Sequence, residues 1–264
     1  MKLRVFLSVL LLLATAGTLG AHDLFLKLDA YFVSPGATLL VRVLNGTFTA
    51  SEGGVARDRV RDIAVVSPGA RTGLDTMAWV ARGDTSVLSV TTGESGTYVI
   101  GVSLRPRELR LDATDFNDYL AHDGLPDVLE ARRNGGELGR PARERYSKHV
   151  KALVQVGDRR TEGYRTVLGY PAELIPLDNP YTMKPGKMIR LRALVEGEPV
   201  VNQLVIAGGP VAPRSVRTDS AGVARVRIGS GGVWYVKFIH MRPAAGETTI
   251  DYESKWATLT FGVQ

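Results

Sequence analysis

The chain has 264 residues, with 33 Lys and Arg against 27 Asp and Glu, four His and no Cys. Without cysteine there is no disulfide, thiolate ligand, cysteine nucleophile or lipidated cysteine, so the fold rests on core packing alone. The net charge of +6 is mild, and the arginines are scattered among acids with no basic helix interleaved with aromatics, which argues against a nucleic-acid partner.

Met1-Lys2-Leu3-Arg4 reads as a short basic start, Val5 to Ala16 as an apolar run, and Gly17 to Ala21 as a small-residue exit. This is the pattern of a secretory leader. The apolar run is shorter than the roughly 20 residues that span a bilayer. The expectation is therefore cleavage after Ala21, a periplasmic protein beginning at His22, and no stable membrane insertion afterwards. Removing Lys2 and Arg4 lowers the basic count from 33 to 31 and the net charge from +6 to +4.

After the leader the chain reads as strands. Leu24–Leu28 and Thr38–Leu44 flank the turn Ser34-Pro35-Gly36 and predict a hairpin. Ile63–Val66, Ser86–Val90 and Thr97–Leu104 follow at the spacing of a β-sandwich. Tyr98, just past Gly93-Glu94-Ser95-Gly96, is placed to pack at a sandwich corner. From Thr114 to about Lys151 the β character fades. Thr114 or Asp115 can cap a helix carrying Phe116, Tyr119 and Leu120, Gly124 stops it, and Pro126 opens a second helix that ends at Asn134-Gly135-Gly136. The charged run Arg140–His149 is expected to begin helical before Val150–Val156 returns to strand. Alternating strands resume at Met188–Val195, Val223–Ile228, Gly231–Met241 and Ser254–Phe261.

The fold predicted is mainly β: two antiparallel β-sandwich domains with a small helical insertion. The boundaries are a leader at 1–21, an N-terminal sandwich at 22–168 with its insertion at about 114–148, and a C-terminal sandwich at 169–264.

Particular stretches carry a family resemblance. Ala21-His22-Asp23-Leu24, Val43 to Phe48, Tyr146-Ser147-Lys148 with Ala152 to Gly157, Glu173 to Pro176 with Asn179-Pro180-Tyr181, Thr218-Asp219 with Gly222, and Trp256 to Phe261 together resemble the DUF4198 family. That family is similar to periplasmic components of cobalt and nickel uptake systems. The resemblance implies an exported metal-handling role and a C-terminal domain of transthyretin-like, carboxypeptidase-regulatory type. It implies no catalytic residues.

A protein that begins at His22 carries a free α-amine beside an imidazole, two nitrogens poised to chelate one ion. His240 shares a strand face with Trp234, Val236 and Phe238, where a histidine is usually a satisfied core residue, and with the resemblance it becomes the expected second ligand of the same metal. Asp23, Asp251 and Glu253 are candidates to orient the ligating rings. His122 and His149 sit among charged residues and read as solvated. Copper, nickel and cobalt all suit nitrogen ligands, copper binding tightest.

The expected function is thus an exported, non-enzymatic metal-binding accessory protein, with a metal permease or TonB-type receptor as partner. A non-catalytic β-sandwich interaction module is the alternative. A copper oxidoreductase with a histidine brace is the lesser one. Hydrolase chemistry has no support, since neither Gly-x-Ser-x-Gly nor His-Glu-x-x-His occurs. The Gly-rich stretches at 208–210 and 229–232 lack the lysine and following helix of a phosphate loop.

Overall fold

The computed structural model describes residues 22–264; the expected leader, residues 1–21, lies outside the described residues. In chain order the strands are β1 (Asp23–Leu28), β2 (Phe32–Val33), β3 (Thr38–Gly46), β4 (Val60–Ser67), β5 (Ala70–Gly73), β6 (Val80–Arg82), β7 (Thr85–Thr91), β8 (Gly96–Leu104) and β9 (Arg107–Leu111). Helices α1 (Ala113–His122) and α2 (Pro126–Asn134) follow. Then come β10 (Ala142–Val156), β11 (Ala172–Pro176), β12 (Met188–Val195), β13 (Glu198–Pro199), β14 (Leu204–Gly208), β15 (Arg214–Arg217), β16 (Val223–Arg227), β17 (Gly232–Pro243) and β18 (Tyr252–Val263).

These strands build three sheets. The first has the order β1-β3-β7-β6, and the third is β11-β12-β13 with β16 also on β12. The central sheet runs β15-β14-β17-β18-β10-β8-β4-β5, with β2 and β9 also paired to β10. The predicted hairpin is present, with β1 antiparallel to β3 from Asp23↔Gly46 to Leu28↔Val41.

The expected β-sandwiches therefore exist, but they share their middle layer. One face of the central sheet carries Trp234, Val236, Phe238, Leu259 and Phe261 and packs on Leu174, Ile189 and Leu191 of the third sheet. The opposite face carries Ile100, Val102, Val150 and Val154 and packs on Leu24, Leu26, Val41 and Leu88 of the first. Further along that face, Ile239, Met241 and Trp256 are covered by Phe116, Tyr119 and Leu120 of α1. The halves on either side of residue 168 are joined through β10 and β18, which pair in parallel from Glu144↔Tyr252 to Ala152↔Thr260. Among the described residues one other pair, β2 with β10, is parallel, and the rest are antiparallel.

Arg140–His149 is a correction. Apart from its first two residues the run lies in β10, which continues unbroken to Val156. Arginine and glutamate favour helix by themselves, but here Ala142–Tyr146 pairs with β9 and Glu144–Ala152 with β18, and tertiary pairing outweighs local preference. Beyond Ser147 every residue of β10 is buried, as a strand covered on both faces must be. The cap of α1 also differs: Asp112 accepts from the Asp115 amide at 2.9 Å. Gly124 ends the helix as expected, at φ 85°, where a β-carbon would be strained. Tyr98 makes the expected corner, its hydroxyl donating to the Glu94 carbonyl at 2.8 Å and accepting from the Gly93 amide at 3.1 Å.

A buried ion pair ties the halves together. Lys151 of β10 donates to Glu173 of β11 at 2.9 Å, and Glu173 also accepts the backbone amides of Leu168, Gly169 and Tyr170. Glu173→Gln would leave Lys151 buried and unpaired. It should cost about 3 to 5 kcal/mol in urea unfolding, the range for breaking one side of a buried pair. Trp234 is 1% exposed, and Trp234→Ala should likewise cost about 3 to 5 kcal/mol, because the cavity cannot collapse between two sheets.

Candidate functional site around His22

β1 pairs with β3 along one edge only, so its other row of carbonyls needs partners from elsewhere. The central sheet supplies them as side chains. Lys148 donates to the His22 carbonyl, Thr258 to the Leu24 carbonyl at 2.5 Å, and Thr260 to the Leu26 carbonyl at 2.6 Å. Every second carbonyl of the strand is thereby caught, and the position of His22 is set by the sheet beneath it.

The next residue is held as firmly. Asp23 accepts from Lys237 at 2.5 Å, and Lys237 also lies 3.7 Å from Asp123, the residue that follows α1. Below them is Glu144, 1% exposed. Its Oε1 accepts from Tyr119 at 3.1 Å and from Ser254, while its Oε2 has no partner. Trp256 lies under the Lys148 ammonium, 4.9 Å from nitrogen to ring centroid, and donates its own N–H to Ser254 at 2.9 Å.

Burial dominates the electrostatics of this cluster. Desolvation raises the Asp123 carboxyl to about 6 although Lys237 pulls against it, and raises Glu144 to about 7 against the hydrogen bonds from Ser254 and Tyr119. Lys148 is lowered to about 8, again by burial, with Asp23 opposing. For Lys237 burial acts downward, but Asp23 and Asp123 outweigh it and hold the ammonium above its ordinary pKa.

The His22 ring points the other way. Its Nε2 lies 2.5 Å from Glu52 Oε2 at a partly exposed position. When that nitrogen carries the proton and donates to the carboxylate, the tautomer leaves Nδ1 as a free lone pair.

His240 is not brought to this place. By strand alternation it stands on the face of Trp234, Val236 and Phe238, towards the third sheet, whereas Lys237 on the opposite face reaches Asp23. Its Nδ1 lies 3.1 Å from Gln203 Oε1, and burial lowers its pKa. His22 and His240 are thus separated by the sheet itself, too far apart for one ion with metal–nitrogen bonds of about 2 Å. No group of three or more His, Asp or Glu with metal-binding geometry occurs among the described residues.

Two other histidine readings divide. His122 is exposed at the end of α1, its Nδ1 2.7 Å from the Asp118 carbonyl. His149, expected in solvent, is 2% exposed in β10. It sits between Ser103 at 2.9 Å and Ser147 at 3.0 Å, and burial lowers its pKa to about 3. Of the proposed ring-orienting carboxylates, Asp251 is engaged by Arg143, and Glu253 by Arg242 and Lys255. Asp23 belongs to Lys237.

The carboxylate that does meet a candidate ring, Glu52, carried no sequence signal, lying in a polar turn 30 residues from His22. Lys237 did leave one, as a lone charge in an apolar strand, whereas Lys148 was hidden in the charged run Arg140–His149. Such a lysine needs a buried partner, but the partner's identity is set by packing.

The cluster predicts a pH dependence of stability. Between the ordinary 4.5 and about 7 the folded Glu144 carboxyl holds a proton that the unfolded chain releases. Its contribution is therefore present in full below that window and lost as pH rises through it. Glu144→Gln removes this loss. Relative to the native protein, the variant should gain up to about 3 kcal/mol between pH 4 and pH 8 in urea unfolding; a constant difference would show that folding does not displace the Glu144 titration.

Comparisons with known proteins place the chain in a family. No curated protein matches it. Solved structures offer distant likenesses. A DUF4785 family protein from Legionella pneumophila is 11% identical, aligned over 81% of this chain and 50% of that one, with a TM-score of 0.26. The adhesin InvE of Yersinia pseudotuberculosis is 15% identical over 92% and 61%, with a TM-score of 0.23. The chain thus spans about half the length of the Legionella protein, and likeness at these scores says nothing of function. The family description "Domain of unknown function (DUF4198)" matches residues 19–242. That match covers most of the sequence, and the protein is a member of the DUF4198 family.

Proposed function

We propose that this protein is an exported, non-catalytic β-sandwich module that holds one divalent late-transition-metal ion at a free N-terminal His22. The observation that carries the reading is the contact between His22 Nε2 and Glu52. Metal-bound histidines characteristically donate their second ring nitrogen to a carboxylate, which fixes the tautomer and raises the basicity of the ligating nitrogen. With Nε2 engaged, Nδ1 is the nitrogen that forms a six-membered chelate with the α-amine of the same residue. The clamp at the His22 carbonyl and at Asp23 supports the reading, because a chelate on a tethered residue loses less entropy than one on a loose end.

This departs from the expected ligand pair by leaving His240 out. The remaining positions on the ion belong to water or to a partner, which suits a carrier that passes metal on to a permease or a TonB-type receptor. Copper is favoured over nickel and cobalt by the affinity order for nitrogen sites. A copper oxidoreductase with a full brace is disfavoured because, among the described residues, the other imidazoles are engaged elsewhere, His122 with Asp118, His149 with Ser103 and Ser147, and His240 with Gln203.

The test is calorimetric titration of copper(II) into protein beginning at His22, with its start verified by intact mass. One ion should bind, more weakly as pH falls towards 5, since protons compete with the metal for the amine and the imidazole nitrogen. Glu52→Gln should lower affinity about 10- to 100-fold, and a single residue ahead of His22 should lower it further. His240→Ala should change nothing. Equal binding by the extended protein, or by His22→Ala, would leave the interaction module as the better reading.

A further inference from the structure

A second candidate site lies in the C-terminal half and shares no residue with the His22 clamp. The central sheet ends at β15 and the third sheet has β16 at an edge, and the two edges stand next to each other without pairing. Between them opens a slot of about 430 Å³, within the range of roughly 300 to 1,000 Å³ usual for small-molecule sites. Its interior is apolar: Val211, Val216 and Val226 form the walls and the indole of Trp234 is reached at the bottom. Met188, an exposed large apolar residue, lines the slot as well. A flexible thioether there suits an adaptable contact.

The rim has the opposite character. Arg214, Arg225 and Arg227 all border the slot. Asp219 binds Arg225 at 2.8 Å, and Arg227 reaches only the Gly186 carbonyl, at 3.1 Å. On β15 Arg214 shares a side with Val216, whereas on β16 Arg225 and Arg227 alternate with the inward Val226 and stand on the outer side of the rim, so the rim carries three arginines and Asp219 around an opening whose interior has no charge. Guanidinium recognises a planar oxyanion by paired hydrogen bonds, and apolar walls next to it select a ligand that is greasy at one end and acidic at the other.

We propose that this slot binds a small amphipathic anion, an apolar aliphatic or aromatic body placed over Trp234 with its carboxylate or sulfonate at Arg214 and Arg227. The site is independent of the proposed metal chelate, so either can fail alone.

The test uses the full exported chain and two dyes of similar aromatic body, anionic 8-anilinonaphthalene-1-sulfonate and uncharged N-phenyl-1-naphthylamine, with decanoate as competitor. The anionic dye should bind saturably at one site and be displaced by decanoate. The double variant Arg214→Glu/Arg227→Glu, both changes at exposed positions, should weaken it at least tenfold while the uncharged dye changes less than twofold. A β-carbon at Gly229 would sit 3.5 Å from a Val211 methyl, in ordinary contact, so Gly229→Leu should crowd the slot and weaken both dyes. Thermal melting verifies that each variant is folded. Absence of saturable binding, or an anionic-dye affinity untouched by the charge reversal, would overturn the proposal.

Discussion

The free edge of β1 is the constraint on which the rest of this molecule turns. A strand paired on one side must satisfy its other carbonyls, and here Lys148, Thr258 and Thr260 do so from the face of a neighbouring sheet. Those three side chains come from β10 and β18, the two strands that join the halves. The same contact that closes the edge therefore locates the first sheet on the central one, and with it His22.

The buried charges around that anchor are expensive. Lys148, Lys237, Asp123 and Glu144 lose hydration, and their mutual attraction only partly offsets the loss, as the displaced pKa values of Asp123, Glu144 and Lys148 record. An apolar cluster of the same volume would be at least as stable. What the polar arrangement supplies is position: Asp123 belongs to the helical insertion, Asp23 to β1 and Lys237 to β17, so a single ammonium references three separate parts of the chain to one another. The insertion is thus a third wall of the N-terminal clamp as well as a cover for Ile239 and Trp256.

The histidines illustrate how far environment outweighs residue type. His149 is locked neutral between two serines and His240 is half-buried against Gln203, whereas His22 keeps one ring nitrogen on a carboxylate and the other uncommitted. All three stand in or beside strands. Of these three, His22 is the one whose ring meets a carboxylate.

Much of the architecture was legible from the sequence, because alternation and turn residues act locally. Leu24–Leu28 and Thr38–Leu44 with their Pro-Gly turn, the helices marked by Gly124 and Pro126, the corner at Tyr98 and the inward face of Trp234, Val236 and Phe238 could all be read without coordinates. Arg140–His149 could not, since its strand exists only because β9 and β18 flank it. Nor could the pairing of His22 with Glu52, the separation of His22 from His240 by a sheet, or the fusion of two sandwiches through one parallel pair. Alternation says which residues share a face of a strand, but which sheet covers that face, and so which distant side chains meet, is decided by long-range packing that leaves no period in the sequence.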